Sequence, residues 1–412
     1  MFDKPPPIIV LFNYGGGLRG LIPAQIMARI ELDTGLRMAD MVDVFAGPST
    51  GAILNAALTL RNPEDSSRPK YRARHLVRFY EREAERIFPP DRFREFRGLI
   101  HDFNNRTMRI SQLNSIFRHG HYNPTNLGRS LRALYGDAKL AHSMRSLIIP
   151  AYNIDGMQLQ ALKDSGESEQ APVHTRGNFM DTGGHALWLK NMKVNKGLLE
   201  GIRHSTPDVA LYDAVMASTA APTYFPCHNF EARWPGYLSP HQYTAIDGSI
   251  FDNPSITYVG AVRQHLLPGQ ETIMIGLGTG YTNKSIKKDD WNRYGSLGVV
   301  DPANDLPLIN IFFHATESAL LDAFEAEMKG NLFLFNKSLV TNRLEDSPSA
   351  QMDDGSPLNM KRLKDFADGI IEDNKKQYDY VCDLLVTNYE KRKSWIESVK
   401  PSRWKKIFSY IR

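Results

Sequence analysis

What this chain has little of narrows its reading first. Only Cys227 and Cys382 occur in 412 residues, so no disulfide framework staples the fold, and the usage suits a reducing compartment. No apolar run approaches the roughly 18 residues that a membrane span needs. The opening stretch, MFDKPPPIIVLFNYGGG, lacks the basic segment and long apolar core of a secretory signal. Pro5, Pro6 and Pro7 would also break such a helix. The expectation is a soluble protein, cytoplasmic as synthesised, with export by machinery that reads no Sec-type signal still open. Surplus charge is small as well: a net charge of +4 is compatible with peripheral contact on an anionic lipid surface and gives no nucleic-acid partner. There is no low-complexity block and no internal repeat. His119 and His121, in RHGHYN, lack the Cys/His partners of a zinc site and read as an exposed turn, so no metal and no cofactor are expected.

The remainder is ordinary globular composition, 42% hydrophobic and 23% charged, in a length that allows a large core. Residues 8–13, IIVLFN, form a β-branched run ending at glycines, which reads as a buried strand. Residues 20–32, GLIPAQIMARIEL, follow with helical spacing at Leu21, Ile26 and Ile30. VDVFA (42–46) then reads as a second strand and GAILNAALTL as a second helix. Strand, glycine turn and helix, repeated, predict an α/β fold with a central, mostly parallel sheet flanked by helices. Further strands are expected at 145–154, 157–163 and 186–190, and YTAI (243–246) and TIMIGLG (272–278) complete the sheet. Residues 70–135 read as mostly helical and arginine-rich. The polar stretch 164–185 reads as a loop or lid. From about residue 300 the chain turns helical, apart from one apolar segment at 331–336. This divides the chain into a catalytic unit, 1–299, and a mainly helical C-terminal extension, 300–412.

Ser49 lies in AGPSTG, directly after the second strand. A lone Gly-x-Ser-x-Gly arises by chance about one time in ten in a chain this long. Its setting fits a strand-to-helix elbow, with Gly47 and Gly51 giving room for a tight turn and the helix directing its positive end at the serine. The alternative is a plain βα turn. YGGGLRG (14–20) occupies the same kind of position after the first strand, and its successive glycines let backbone N–H groups converge on an anion. That suits an oxyanion hole or a phosphate cradle. The nucleotide reading lacks both the Gly-Lys-Ser/Thr ending and the Gly-x-Gly-x-x-Gly spacing, and GLGTGY (276–281) carries Tyr281 where the last glycine of that fingerprint would fall.

Taken in order, YGGGLRG, GPSTG, ASTAAPTYFP (217–226), DGSIFDNP (247–254) and IGLGTG (275–280) resemble the patatin-like phospholipase family over about the first 280 residues. The resemblance implies a three-layer α/β/α fold and hydrolysis of lipid acyl esters, phospholipids among them, by a Ser–Asp dyad. By motif position, Ser49 is then the nucleophile and Asp247 the base. Gly15, Gly16 and Gly17 line the oxyanion hole, with Arg19 beside it. Activation by a ligand or a partner protein is also implied. Two positions depart from the family pattern: Tyr14 stands where the glycine block usually begins with Asp, and Ser249 is the third residue of the Asp-Gly-Gly/Ala block.

Other bases were weighed on position. Asp354, in DDGS, has no strand before it to hold it, whereas Asp247 follows the apolar YTAI. DTGGH (181–185) resembles an aspartic-protease tripeptide but has no second copy. A Ser–His–Asp esterase would use His241 or His265, yet only two strands precede the serine. A catalytically silent binding or effector module is the alternative of a different class, and Tyr14 favours it. A free aspartate is a weak base for a serine hydroxyl, so a dyad requires Asp247 to be desolvated. For lipid contact, SRWKKIFSYIR (402–412) spaces Trp404, Ile407, Phe408 and Ile411 helically among basic residues. It reads either as a membrane-surface helix or as a terminal helix docked on its own domain. LINIFFHATESALLDAF (308–324) presents the same choice and is expected to be core. Nothing in the sequence indicates an oligomeric state.

Overall fold

The computed structural model describes residues 4–89, 122–155, 184–196, 206–222, 224–282, 286–289, 291–292, 299, 307–340 and 346–398. The expected strand at 157–163, the polar stretch up to 183, His119, His121 and the amphipathic terminus at 402–412 lie outside them.

The chain is an α/β fold around an eight-stranded mixed sheet. Strand β1 (Ile8–Asn13) leads through helix α1 (Leu21–Thr34) to β2 (Val44–Ala46), and β2 through α2 (Thr50–Thr59) and α3 (Ala73–Ile87) towards α4 (Pro124–Tyr135) and β3 (Ser146–Asn153). Then come β4 (His185–Asn191), α5 (Leu211–Thr219), β5 (His228–Ala232), β6 (His241–Asp247) and β7 (Thr272–Leu277). The described chain closes with α6 (Pro307–Met328), β8 (Leu332–Phe335), α7 (Pro357–Asp373) and α8 (Lys375–Ser398).

Strand periodicity sorts the core into two layers. Ile9, Leu11, Phe45, Leu147 and Ile149 face one side and pack with α1, α2 and α5. Ile8, Val10, Phe12, Val44 and Ile148 face the other, against Tyr258, Phe324 and Met328. Successive side chains of a strand alternate faces, so a sheet covered on both sides must be apolar at every position. β1 is buried throughout for this reason. All ten residues of α2 are buried as well, which makes it the central helix of its layer.

β8, β7, β1, β2 and β3 run parallel. Beyond β3 the sheet turns antiparallel. β4 pairs along one edge of β3 from Leu147↔Asn191 to Asn153↔His185. On the other edge β2 covers Ser146 to Ile148, and β6 covers Ala151 to Asn153. The two strands therefore meet nearly end to end on a single edge, and the carboxyl end of β6 points at the carboxyl end of β2.

Two strands lie beyond those expected. β5, HNFEA, buries only Phe230 and Ala232 and exposes Asn229 and Glu231, so its run is too short and polar to register. The apolar segment at 331–336 supplies β8, which adds the C-terminal part of the chain to the sheet. α6 is core over only part of its length: Phe324 and Met328 are buried, while Ile311 and Leu320 are exposed.

The opposite end of the sheet is fastened by α8. Arg392 donates to the Asp43 carboxylate, and its second arm donates to the Asp40 carbonyl at 2.6 Å. Asp43 also accepts the Ile9 N–H at 2.9 Å, which ties β1, the approach to β2 and α8 together. Burial raises the proton affinity of Asp43 and Arg392 lowers it. Arg392→Ala leaves an unpaired buried carboxylate and is expected to cost about 3 kcal/mol in urea unfolding at pH 7. Burial holds the Asp43 pKa above the ordinary carboxylate range, so the loss should shrink as pH falls through that raised pKa and the carboxyl takes up a proton.

Candidate active site

β1 and β2 end side by side, and the sequence holds them there with a buried amide. Asn13 donates to Asn55 Oδ1 at 2.6 Å, and Asn55 donates to the Ala46 carbonyl at 2.7 Å. The chain must then turn within the space left by β1. A Cβ at Gly47 would lie 1.9 Å from the Asn13 oxygen, and one at Gly51 2.0 Å from the same atom. Only glycine fits at either position. Between them Ser49 takes φ 55° and ψ −125°, a conformation that costs a non-glycine residue about 1–3 kcal/mol. Its N–H donates to both the carbonyl and the hydroxyl of Ser218, each at 3.1 Å. The Ser218 hydroxyl in turn donates to the Pro150 carbonyl at 2.5 Å, linking the turn to β3 through α5.

Asp247 ends β6, opposite Ala151. Its N–H donates to the Ala220 carbonyl at 3.0 Å. Gly248 lies so close to β3 that a Cβ would sit 2.3 Å from the Pro150 oxygen. Asp247 is 1% exposed. Burial pushes its pKa from 3.8 up to about 6, against hydrogen bonds from the Ser249 N–H and the Ser49 hydroxyl that pull it down. The Ser249 N–H lies 2.8 Å from Oδ1.

The glycine loop completes the site. A Cβ at Gly15 would fall 3.2 Å from Cβ of Ser49 and 2.3 Å from Oγ of Ser249, so the loop lies directly over the serine. Gly17 has φ 58°, and a side chain there would meet the Met352 carbonyl at 2.4 Å. The flanking N–H groups are occupied: Tyr14 donates to Leu277 O at 3.1 Å and Leu18 to Met352 O at 2.8 Å. Among the described residues the N–H groups of Gly15, Gly16 and Gly17 have no acceptor. Arg19, nearly buried, sits at the end of this loop with no ion pair among the described residues. Burial lowers its pKa from the ordinary value, yet it remains cationic at neutral pH. The site thus gathers a hydroxyl in a constrained turn, a desolvated carboxyl and three amide donors without an acceptor among the described residues, at the carboxyl ends of parallel strands, where α/β folds commonly bind ligands.

The two histidines weighed as bases are elsewhere, and Asp354 is engaged in a local turn. His241 begins β6 and lies about 20 Å along that strand from Asp247. His265 belongs to the far end of the sheet: Asn195 bonds its carbonyl and Gln270, and Gln270 bonds the Pro6 carbonyl before β1. Asp354 sits in the turn before α7 and accepts the Ser356 N–H at 3.1 Å. Sequence reasoning missed three supporting groups: Ser218, the Met352 carbonyl and a hydrogen bond from Tyr14 to Glu317 on α6. Ser218 lies in one of the quoted motif blocks but carried no assigned role. The other two contacts join residues more than 300 positions apart and leave no local signal.

Comparison with known proteins places the chain among related sequences. A family profile described as "Patatin-like phospholipase" matches residues 14–259. "Patatin-like protein 2" of Arabidopsis thaliana is 26% identical over 82% of this chain and 73% of its own length. The protein of the same name in Oryza sativa subsp. indica is 24% identical over 92% and 87%, and "Patatin-17" of Solanum cardiophyllum 22% identical over 90% and 87%. Among solved structures, VipD from Legionella pneumophila is similar at 10% identity and a TM-score of 0.29, over 89% of this chain and 67% of that one. The profile spans more than half of the chain and takes in the glycine loop, the Ser49 turn and the end of β6, and on that ground the chain belongs to the patatin-like phospholipase family, whose members act on lipid acyl esters.

Proposed function

We propose that this chain is a phospholipase of the A type, cleaving carboxylic esters of phospholipids through an acyl-enzyme on Ser49 with Asp247 as base. One observation supports the reading: Asp247, 1% exposed and with its pKa raised to about 6, ends β6 beside the turn that holds Ser49 at positive φ, and the glycine loop lies against both turns. A pKa of about 6 leaves Asp247 about nine-tenths ionised at pH 7 and far better matched to proton transfer than a solvated aspartate. Ser49 Oγ attacks the ester carbonyl while its proton passes to Asp247. The negative charge that forms on the carbonyl oxygen meets the open amides of Gly15, Gly16 and Gly17, where one well-aimed donor contributes about 3–4 kcal/mol. Protonated Asp247 then gives its proton to the departing lysolipid alcohol. Water, deprotonated by the same carboxylate, cleaves the acyl-enzyme and frees the fatty acid.

The esterase with a histidine base finds no support in the positions of His241 and His265. The silent-module alternative rests on Tyr14, but among the described residues the three amides of the loop that follows Tyr14 have no acceptor.

Asp247→Asn is expected to lower hydrolysis of a phospholipid substrate at least about 10³-fold, while His241→Ala and His265→Ala stay within about threefold. A fluorophosphonate probe should label the wild type at Ser49, and retained turnover in Asp247→Asn would overturn the dyad.

The acidic limb of kcat/KM should fall near pH 6, since the base must be ionised. A limb near 4, or none, would contradict a buried base.

The same ionisation has a stability consequence. A folded-state pKa raised from 3.8 to about 6 costs the folded protein about 3 kcal/mol once Asp247 is charged. That stabilising proton is fully held below about pH 4 and is lost as pH rises through 6. Asp247→Asn should therefore gain stability relative to wild type between those limits, levelling off above about pH 7, in paired denaturant titrations across pH.

A further inference from the structure

Tyr14 immediately precedes the three glycines, at the position where the resembling family begins its loop with an acid. Its backbone is tied to β7 through Leu277, and its ring packs edge-on against Phe12 at 5.0 Å. The hydroxyl donates to Oε1 of Glu317, which α6 delivers from 303 residues away in the chain. Glu317 lies in a hollow that it lines together with Asn253, Pro254, Leu321, Phe324 and Leu334. Burial raises its proton affinity, and the phenol hydroxyl is what lowers it. Among the described residues no cation pairs with it. Asp252, buried nearby, accepts from the Thr257 hydroxyl at 2.8 Å, and burial pushes its own pKa well above the ordinary carboxylate value. A carboxylate placed among apolar side chains is costly unless it is well bonded, and a phenol–carboxylate bond is of the strong, charge-assisted kind. The cost here falls at one spot, the root of the loop whose amides stand open.

We propose that Glu317 is a positioning residue for that loop: through the Tyr14 hydroxyl it fixes the direction of the Gly15, Gly16 and Gly17 N–H groups. The acid that the family carries in the loop itself is supplied here from the opposite layer of the fold, relayed by a longer side chain. The pair also joins α6 to the site, because Asn253 and Pro254 in the same hollow continue directly from the Asp247 turn. This role rests on the hydrolase reading for its effect on rate but not for the clamp itself.

The test compares Tyr14→Phe, Glu317→Gln, Glu317→Leu and the double variant Tyr14→Phe/Glu317→Leu in the full chain. Readouts are kcat and KM on a soluble short-chain p-nitrophenyl ester, amide hydrogen exchange at residues 15–18, and melting temperature. Tyr14→Phe and Glu317→Leu should each lower kcat about 10- to 100-fold, with KM changed less than about twofold. The double variant should be no worse than the worse single one. Glu317→Gln, still an acceptor for the hydroxyl, should keep kcat within about threefold. Exchange at 15–18 should quicken in the two disabling variants and not in Glu317→Gln. Wild-type kcat with unaltered exchange in Tyr14→Phe, additive losses in the double variant, or a lowered melting temperature without a change in kcat would each overturn the proposal. If the wild type neither turns over ester nor reacts with a fluorophosphonate, the hydrolase reading fails, and the exchange data alone decide the clamp.

Discussion

One edge of β3 is shared by two strands, and the rest of the site depends on that arrangement. β2 stops after covering Ser146 to Ile148, and β6, arriving from the other direction, covers Ala151 to Asn153. The residues that leave the two strand ends, Ser49 and Asp247, are therefore driven towards each other across the gap at Ile149 and Pro150. The Pro150 carbonyl in that gap is bonded by Ser218 and crowded by Gly248. A parallel strand and an antiparallel strand on separate edges of β3 would place the same two side chains a sheet's width apart. The change of the sheet from parallel to antiparallel at β3 is thus the feature that brings the Ser49 turn and Asp247 to the same edge of β3.

Holding that meeting point is costly, and the surrounding structure supplies the compensation. Ser49 sits in a backbone region that residues with a Cβ avoid, and Asp247 is deprived of water. Such strain persists only where neighbours over-determine the geometry. Here the constraint comes from Asn13 and Asn55 between the strand ends, from the wholly buried α2 and from Ser218. At the far end of the sheet the buried Arg392–Asp43 pair keeps β1 and β2 in register. The C-terminal part of the chain is integral to all of this: β8 extends the sheet, Met352 supports the glycine loop and α6 brings Glu317 to Tyr14.

Local physics made much of this visible in advance. IIVLFN and TIMIGLG read as buried strands because both faces of the sheet are covered, and the glycines at 15–17, 47 and 51 stood out because a close backbone approach excludes a Cβ. β5 escaped notice because an edge strand needs only Phe230 and Ala232 buried, and β8 was visible merely as an apolar segment. His241 and His265 were reasonable rivals to Asp247 in the sequence, since position along a chain does not encode which end of the sheet a residue reaches.

The sequence by itself determined the alternation of strands and helices, the two glycine-bearing turns and the order of motif blocks that marks the family. These are properties of short stretches, set by steric room and by periodicity of burial. Only the tertiary structure decided which end of the sheet each carboxyl reaches, how far burial raises the pKa of Asp247, that the loop amides have no acceptor among the described residues and that Glu317 reaches Tyr14. Desolvation and hydrogen-bond partnership arise from groups brought together across hundreds of residues, and no local pattern carries that information.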